Sequence, residues 1–290
     1  MRLELIGLSW FSSVAAIFFV FFSSCVGSLF SFWVYLELAG LSLLPSFFVS
    51  SASMVGGVYG GLLLYILVSG LSSVFFVTGF IFEGLYVFIL VGFLVKLGLF
   101  PFMVWVYRVF PSGGWVFIFL LSVVLKFPVL YFGYIFGGVY GGLVYLSCIV
   151  TILICSLIFW LVNNDWKFIW AHMSLSSVAT LMVVCYSGDF SSCWVVFFSY
   201  CVWSGLCLLF FFVYQFGVTR SWAIWVFFFL FLVTPLSLPL AYKLSACVAF
   251  FYSSVYVLVA WSVYSFSEQF FLYKLCADQT SVGVLNVWFS

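Results

Sequence analysis

Runs such as AAIFFVFF (Ala15 to Phe22) and WVFFFLFLV (Trp225 to Val233) hold no charged or hydroxyl side chain, and similar runs recur along the whole chain. Nothing else constrains the fold as much. A soluble surface carries charge on about a quarter of its residues, whereas charged residues here are 5% of 290 and hydrophobic ones 68%. The runs are long enough for helices of roughly 20 residues, the length that crosses a bilayer. A membrane barrel needs polar residues alternating toward a lumen, and these runs have none. The chain is therefore expected to be an all-α polytopic membrane protein, forming a single transmembrane domain over 1–290.

Ten spans are predicted, at 6–28, 30–50, 57–80, 85–107, 115–136, 143–162, 168–187, 191–214, 222–250 and 253–273. The ninth is long and carries Pro235 and Pro239, which marks it as a broken helix. The last eleven residues, 280–290, are too short to cross. Ten alternating spans put Arg2, Arg108, Lys167, Arg220 and Lys274 at ends on one side, and Glu83 and Asp189 on the other. Basic residues near span ends favour the non-translocated face, so both termini are expected there. No cleavable signal and no Arg- and Ser-rich transit segment is evident at the N-terminus.

Three lysines fall away from span ends. Lys96 and Lys126 each lie about eleven residues into a span, roughly 16 Å at 1.5 Å per residue, which is mid-bilayer. Lys243 lies within the broken ninth span. Glu37 is read as the only carboxylate buried comparably. An ammonium at the bilayer centre costs roughly 2.5–3.5 kcal/mol even on the lenient insertion scale. Proline placement repeats beside each lysine: Pro101 follows Lys96 by five residues, Pro128 follows Lys126 by two, and Pro235 and Pro239 precede Lys243 by eight and four. Helices broken beside midplane charges are how transporters expose backbone carbonyls and admit water. The bland alternative is a lysine that snorkels to the interface or glues helices together. Mid-span depth argues against it for Lys96 and Lys126, and Glu37 with a buried lysine reads as a charge pair.

Other features carry less. His172, the sole histidine, starts the span after the polar segment NNDWKFIWAH (163–172) and is expected to be interfacial and satisfied. Ser174, Ser176 and Ser177 are placed to hydrogen-bond across helices. The GGVYGG pattern at 56–61 and 137–142 permits close helix approach or turns; no phosphate-binding loop pattern exists. The nine cysteines show no CxxC and no Cys/His ligand spacing, so no metal or iron–sulfur cluster is expected. A net charge of +1 argues against nucleic acid as a partner.

FWVYLELAGLSLLPSFF (32–48), VKLGLFPFMVWV (95–106), LKFPVLYF (125–132) and PLSLPLAYKL (235–244) occur in that order. Together they resemble chain 2 of NADH–ubiquinone oxidoreductase, the antiporter-like proton-pumping subunit of respiratory complex I encoded in animal mitochondrial DNA. The likeness covers roughly residues 30–275, and NNDWKFIWAHMSLSS (163–177) resembles that family's polar loop and serine-rich helix start. The composition fits such a genome: 42 phenylalanines, 23 glycines, 13 tryptophans and nine cysteines, with abundant Val and Leu, can all be written with codons of T and G alone. Met103, where the family often has histidine, and Arg108, where acidic surroundings are expected, depart from the pattern.

The resemblance implies an antiporter-like bundle with Pro-broken helices around Lys96 and Lys243. It assigns Glu37 and Lys96 to the charge pair of the inner half-channel, Lys126 to the connecting position, and Lys243 to the terminal lysine. Protons would cross the inner mitochondrial membrane through this relay, coupled to NADH oxidation and ubiquinone reduction elsewhere in the complex. The chain would act as a subunit of an H+-translocating NADH:ubiquinone reductase without a redox site of its own; NADH, FMN, iron–sulfur clusters and ubiquinone would sit in other subunits. Expected neighbours are the antiporter-like chain 4, the side of the small chains 4L and 6, and lipid. Both termini would face the matrix. The competing reading is a free-standing cation/proton antiporter, which should show internal repeats and a midplane substrate site.

Overall fold

The computed structural model describes residues 2–48, 55–82, 84–137, 141–161, 165–187, 190–214, 220–235, 237–251 and 253–280, and among these every regular element is helical. The first half contains α1 (Arg2–Cys25), α2 (Leu29–Ser42), α3 (Leu44–Phe47), α4 (Val55–Ile81), α5 (Tyr86–Leu97), α6 (Val104–Ser112), α7 (Trp115–Ser122) and α8 (Phe127–Ile135). The second half contains α9 (Gly141–Leu161), α10 (Trp166–Ser187), α11 (Phe190–Tyr214), α12 (Arg220–Phe231), α13 (Leu238–Phe251) and α14 (Val255–Thr280). Among the described residues eight stretches are long and apolar enough to cross a membrane, with α2–α3 and α7–α8 each forming one of them. The half-helix pairs α5–α6 and α12–α13 complete the ten expected elements. Of the charges expected at the two faces, Glu83 and Asp189 and the side chains of Arg2 and Arg220 lie outside the described residues, as do 281–290.

Burial is uneven in a way that a bilayer explains. Most long helices expose an outer stripe of Phe, Leu, Val and Trp, such as Trp10, Phe11, Trp225, Phe251 and Tyr256. In water that surface would be an aggregation liability; beside lipid tails it has no cost. Only α10 is enclosed nearly all round, from Ile169 to Cys185 without a break. It is the central post, touching α6, α8, α9, α11 and α13. Its hydroxyls are satisfied within the bundle, with Ser176, Ser177 and Thr180 each donating to the carbonyl three residues earlier.

Small residues set the close contacts. A Cβ on Gly61 would collide with Ser112 and one on Gly79 with Ile89, so α4 lies tightly along α6 and α5. The first GGVYGG copy therefore serves close approach, as its composition permits. Lys167 at the start of α10 donates to the carbonyls of Pro111 (3.3 Å) and Gly113 (2.8 Å) at the end of α6. These contacts hold the α6 C-terminus and the α10 N-terminus at one end of the bundle, as the charge pattern requires for Arg108 and Lys167.

Candidate functional site

The first break lies between α5 and α6. Gly98 closes α5 in the left-handed region (φ 72°, ψ 31°), which only glycine adopts without strain, and its N–H donates to the carbonyls of Leu94 and Val95. A side chain at Gly98 would also strike Val106. Pro101 follows within the break, and the freed backbone groups are then met from other helices. Phe100 N–H donates to Thr151 Oγ1 on α9 at 3.0 Å, and Trp105 Nε1 donates to Val95 O at 3.0 Å. Such compensation is what allows irregular backbone at membrane depth.

Lys96 sits in the last turn of α5, where the helix dipole favours a cation. Its Nζ lies 2.7 Å from Glu37 Oε1 and 3.5 Å from Leu36 O, both on α2. The side chains of the pair are 11% and 21% exposed, so the pair is shielded and still reachable. Two sequence candidates 59 residues apart are thus brought into direct contact.

Lys126 is in a different setting. It ends a single 3-10 turn, Val124–Lys126, that interrupts the span between α7 and α8. Pro128 falls in the first turn of α8, where its missing N–H leaves no gap. At 2% exposure Lys126 is buried without a carboxylate contact among the described residues. Its three donors are taken by Ser174 O (2.9 Å), Ser177 Oγ (2.7 Å) and Tyr200 OH (2.7 Å). Between Lys96 and Lys126 lies a cavity lined by both, with Leu36, Trp105, Ser174 and Val178 among its walls. About 40 Å³ of it is open to the centres of water molecules, and one water needs roughly 10–15 Å³ on that measure. The cavity therefore has room for about three or four waters.

The second break, 232–237, separates α12 from α13. Pro235 lies in it and Pro239 occupies the first turn of α13. Trp203 Nε1 donates to Leu230 O (2.8 Å), Val233 N–H donates to Gln269 Oε1 (2.9 Å), and Gln269 Nε2 donates to Phe231 O (3.3 Å). Lys243 on α13 is 7% exposed, and its Nζ lies 2.8 Å from Glu268 Oε2 on α14.

Glu268 overturns the reading of Glu37 as the only deeply buried carboxylate: at 2% exposure it is the more enclosed of the two. The predicted tenth span ends at 273, which leaves Glu268 near an edge. Instead α14 continues to Thr280, with a crossing segment running to Ala277, and the carboxylate falls well inside it. The available signal was its flanks, apolar at Tyr264 and Leu272 four residues either side on the same helix face. His172 is satisfied, as expected. It is buried against Tyr107, Phe159 and Phe168, with the Tyr107 hydroxyl 2.8 Å from Nδ1.

A hydroxyl cluster extends from Lys126 to Tyr242, the residue before Lys243 on α13. Tyr200 OH, which accepts from Lys126, donates to Ser122 O at 2.9 Å. Thr180 Oγ1 and Tyr242 OH are 3.0 Å apart, and the Tyr200 and Tyr242 rings are 5.7 Å apart. Among the described residues, no three His, Cys, Asp or Glu side chains converge as they would around a metal ion.

Fold and site together define a polytopic α-helical membrane protein with three enclosed lysines, Lys96 and Lys126 at helix interruptions and Lys243 in the helix that follows one. No family model matches the chain, and no curated protein matches it. Among solved structures, the fold is similar to that of a chain in "Respiratory complex I from Thermus thermophilus with bound Aureothin". The TM-score is 0.64 at 15% identity, over 92% of this chain and 75% of that one. At such identity the likeness is one of fold.

Proposed function

We propose that this chain is an antiporter-like membrane-arm subunit of respiratory complex I, of the chain 2 type, that carries protons across the inner mitochondrial membrane. Protons would pass among Glu37, Lys96, Lys126 and Lys243 while NADH oxidation and ubiquinone reduction take place in other subunits. The observation that carries the reading is the Glu37–Lys96 ion pair at a broken helix, beside a cavity that both Lys96 and Lys126 line. An ammonium held by one carboxylate and a helix C-terminus keeps its proton; drawn away from the carboxylate, it releases it more readily. The cavity offers a water path for that proton toward Lys126, whose own ammonium has no carboxylate contact among the described residues. The likeness in fold to a chain of complex I supports the same reading.

Membership is tested by native electrophoresis of the source membranes with NADH-dehydrogenase staining and peptide identification. The chain is expected in the large NADH-active band. If it migrates alone at low mass, the free-standing antiporter becomes the better account. The relay is tested by Lys96→Met in vesicles: the complex should assemble while proton pumping falls. Undiminished pumping would reduce the lysine to helix glue.

A further inference from the structure

The second ion pair differs from the first in three ways. Lys96 gains from the C-terminal end of α5, whereas Lys243 lies in the second turn of α13, past the reach of its dipole, and relies on Glu268 alone. The Glu268 carboxylate is buried more deeply than Glu37, and Lys243 is the cation in contact with it. Finally, Lys243 Nζ has no aligned hydrogen bond among the described residues; the Glu268 contact is its only polar partner. Lys96, by contrast, donates to both Glu37 Oε1 and Leu36 O.

The carboxylate itself is held firmly. Ser267, one residue before it, accepts from Trp160 Nε1 on α9 at 3.2 Å, and Gln269, one residue after, bridges Val233 and Phe231 across the second break. Glu268 thus projects from a turn tied on both flanks, and one tie is the irregular backbone of the α12–α13 break.

Resting on the proton-relay reading above, we propose that Glu268 is a proton-exchanging residue that takes the proton from Lys243. In that step an N–H bond of the Lys243 ammonium breaks, its electron pair stays on Nζ, and an O–H bond forms at Glu268 Oε2. Both groups become neutral, so no uncompensated charge is left in the bundle. Glu268 then passes the proton to water, and Lys243 is reprotonated from the Lys126 side, where the Thr180 and Tyr242 hydroxyls lie. The direct contact with Lys243 is what distinguishes this role from a distant electrostatic one.

The test uses the assembled complex in vesicles, comparing wild type, K96M, E268Q and E268D by protons pumped per NADH oxidised and by redox-induced infrared difference spectra in the carboxyl region. E268Q should lose pumping on the order of tenfold or more, while E268D, which keeps an acid, retains most of it. A protonated-carboxyl band should vanish in E268Q and shift in E268D. If K96M abolishes pumping while E268Q pumps normally, this proposal fails and the relay stands. If K96M pumps normally, the relay fails as well. Should E268Q not assemble, an unshifted carboxyl band in E268D overturns the proposal and a shifted one supports it.

Discussion

Replacing Lys126 with methionine separates function from stability more cleanly than any other change in this chain. The ammonium is buried and held by three acceptors, Ser174 O, Ser177 Oγ and Tyr200 OH. Hydrogen bonds to a charged group contribute roughly 1.5–3 kcal/mol each, about 5–9 kcal/mol for three. Desolvating one ammonium costs several kcal/mol even after the protein relaxes, so the two terms nearly cancel. Methionine removes both. It leaves Tyr200 OH donating to Ser122 O and Ser177 Oγ donating to Ser174 O, so neither hydroxyl is stranded. The expected stability change is within about 2 kcal/mol, which moves a thermal transition by several degrees at most. Proton transfer through this position is lost, and pumping should drop on the order of a hundredfold. The assay pairs thermal dissociation of the complex with dye-reported vesicle acidification, normalised to NADH oxidation under uncoupler. Full pumping by Lys126→Met would refute the reasoning. So would collapse of the complex, which would make Lys126 a structural keystone instead.

Two further substitutions probe the first break. Gly98→Ala forces a side chain into the left-handed region and against Val106, and should destabilise the chain by about 1–3 kcal/mol, read as an earlier thermal transition. Thr151→Val keeps the shape of α9 but strands the Phe100 N–H, a loss of about 1–3 kcal/mol that should appear as faster hydrogen exchange at Phe100. An exchange rate equal to wild type would show that this hydrogen bond does not hold the break.

Much of this architecture was legible in the residues. Apolar runs of fixed length leave a chain in lipid one economical solution, because each helix satisfies its own backbone. Prolines and Gly98 then mark where that solution must fail. The breaks beside Lys96 and Lys243 were therefore readable, as was the interruption at Lys126. The pairing of Glu37 with a lysine followed from charge arithmetic, since a buried carboxylate needs a cation and few are available.

What tertiary structure alone decided was which partners meet. Glu268 and Lys243 lie 25 residues apart on separate helices, and their contact depends on how far α14 extends and how it packs on α13. Sequence hydropathy locates a span's centre far better than its ends, so a carboxylate a few residues from a predicted edge passes for a surface group. The same holds for the three acceptors of Lys126, which come from α10 and α11, and for Thr151, which reaches the first break from α9. Local sequence sets where a helix breaks and where a charge sits. Long-range packing determines what answers it, because hydroxyls and carbonyls in this chain are too many for composition to say which ones converge.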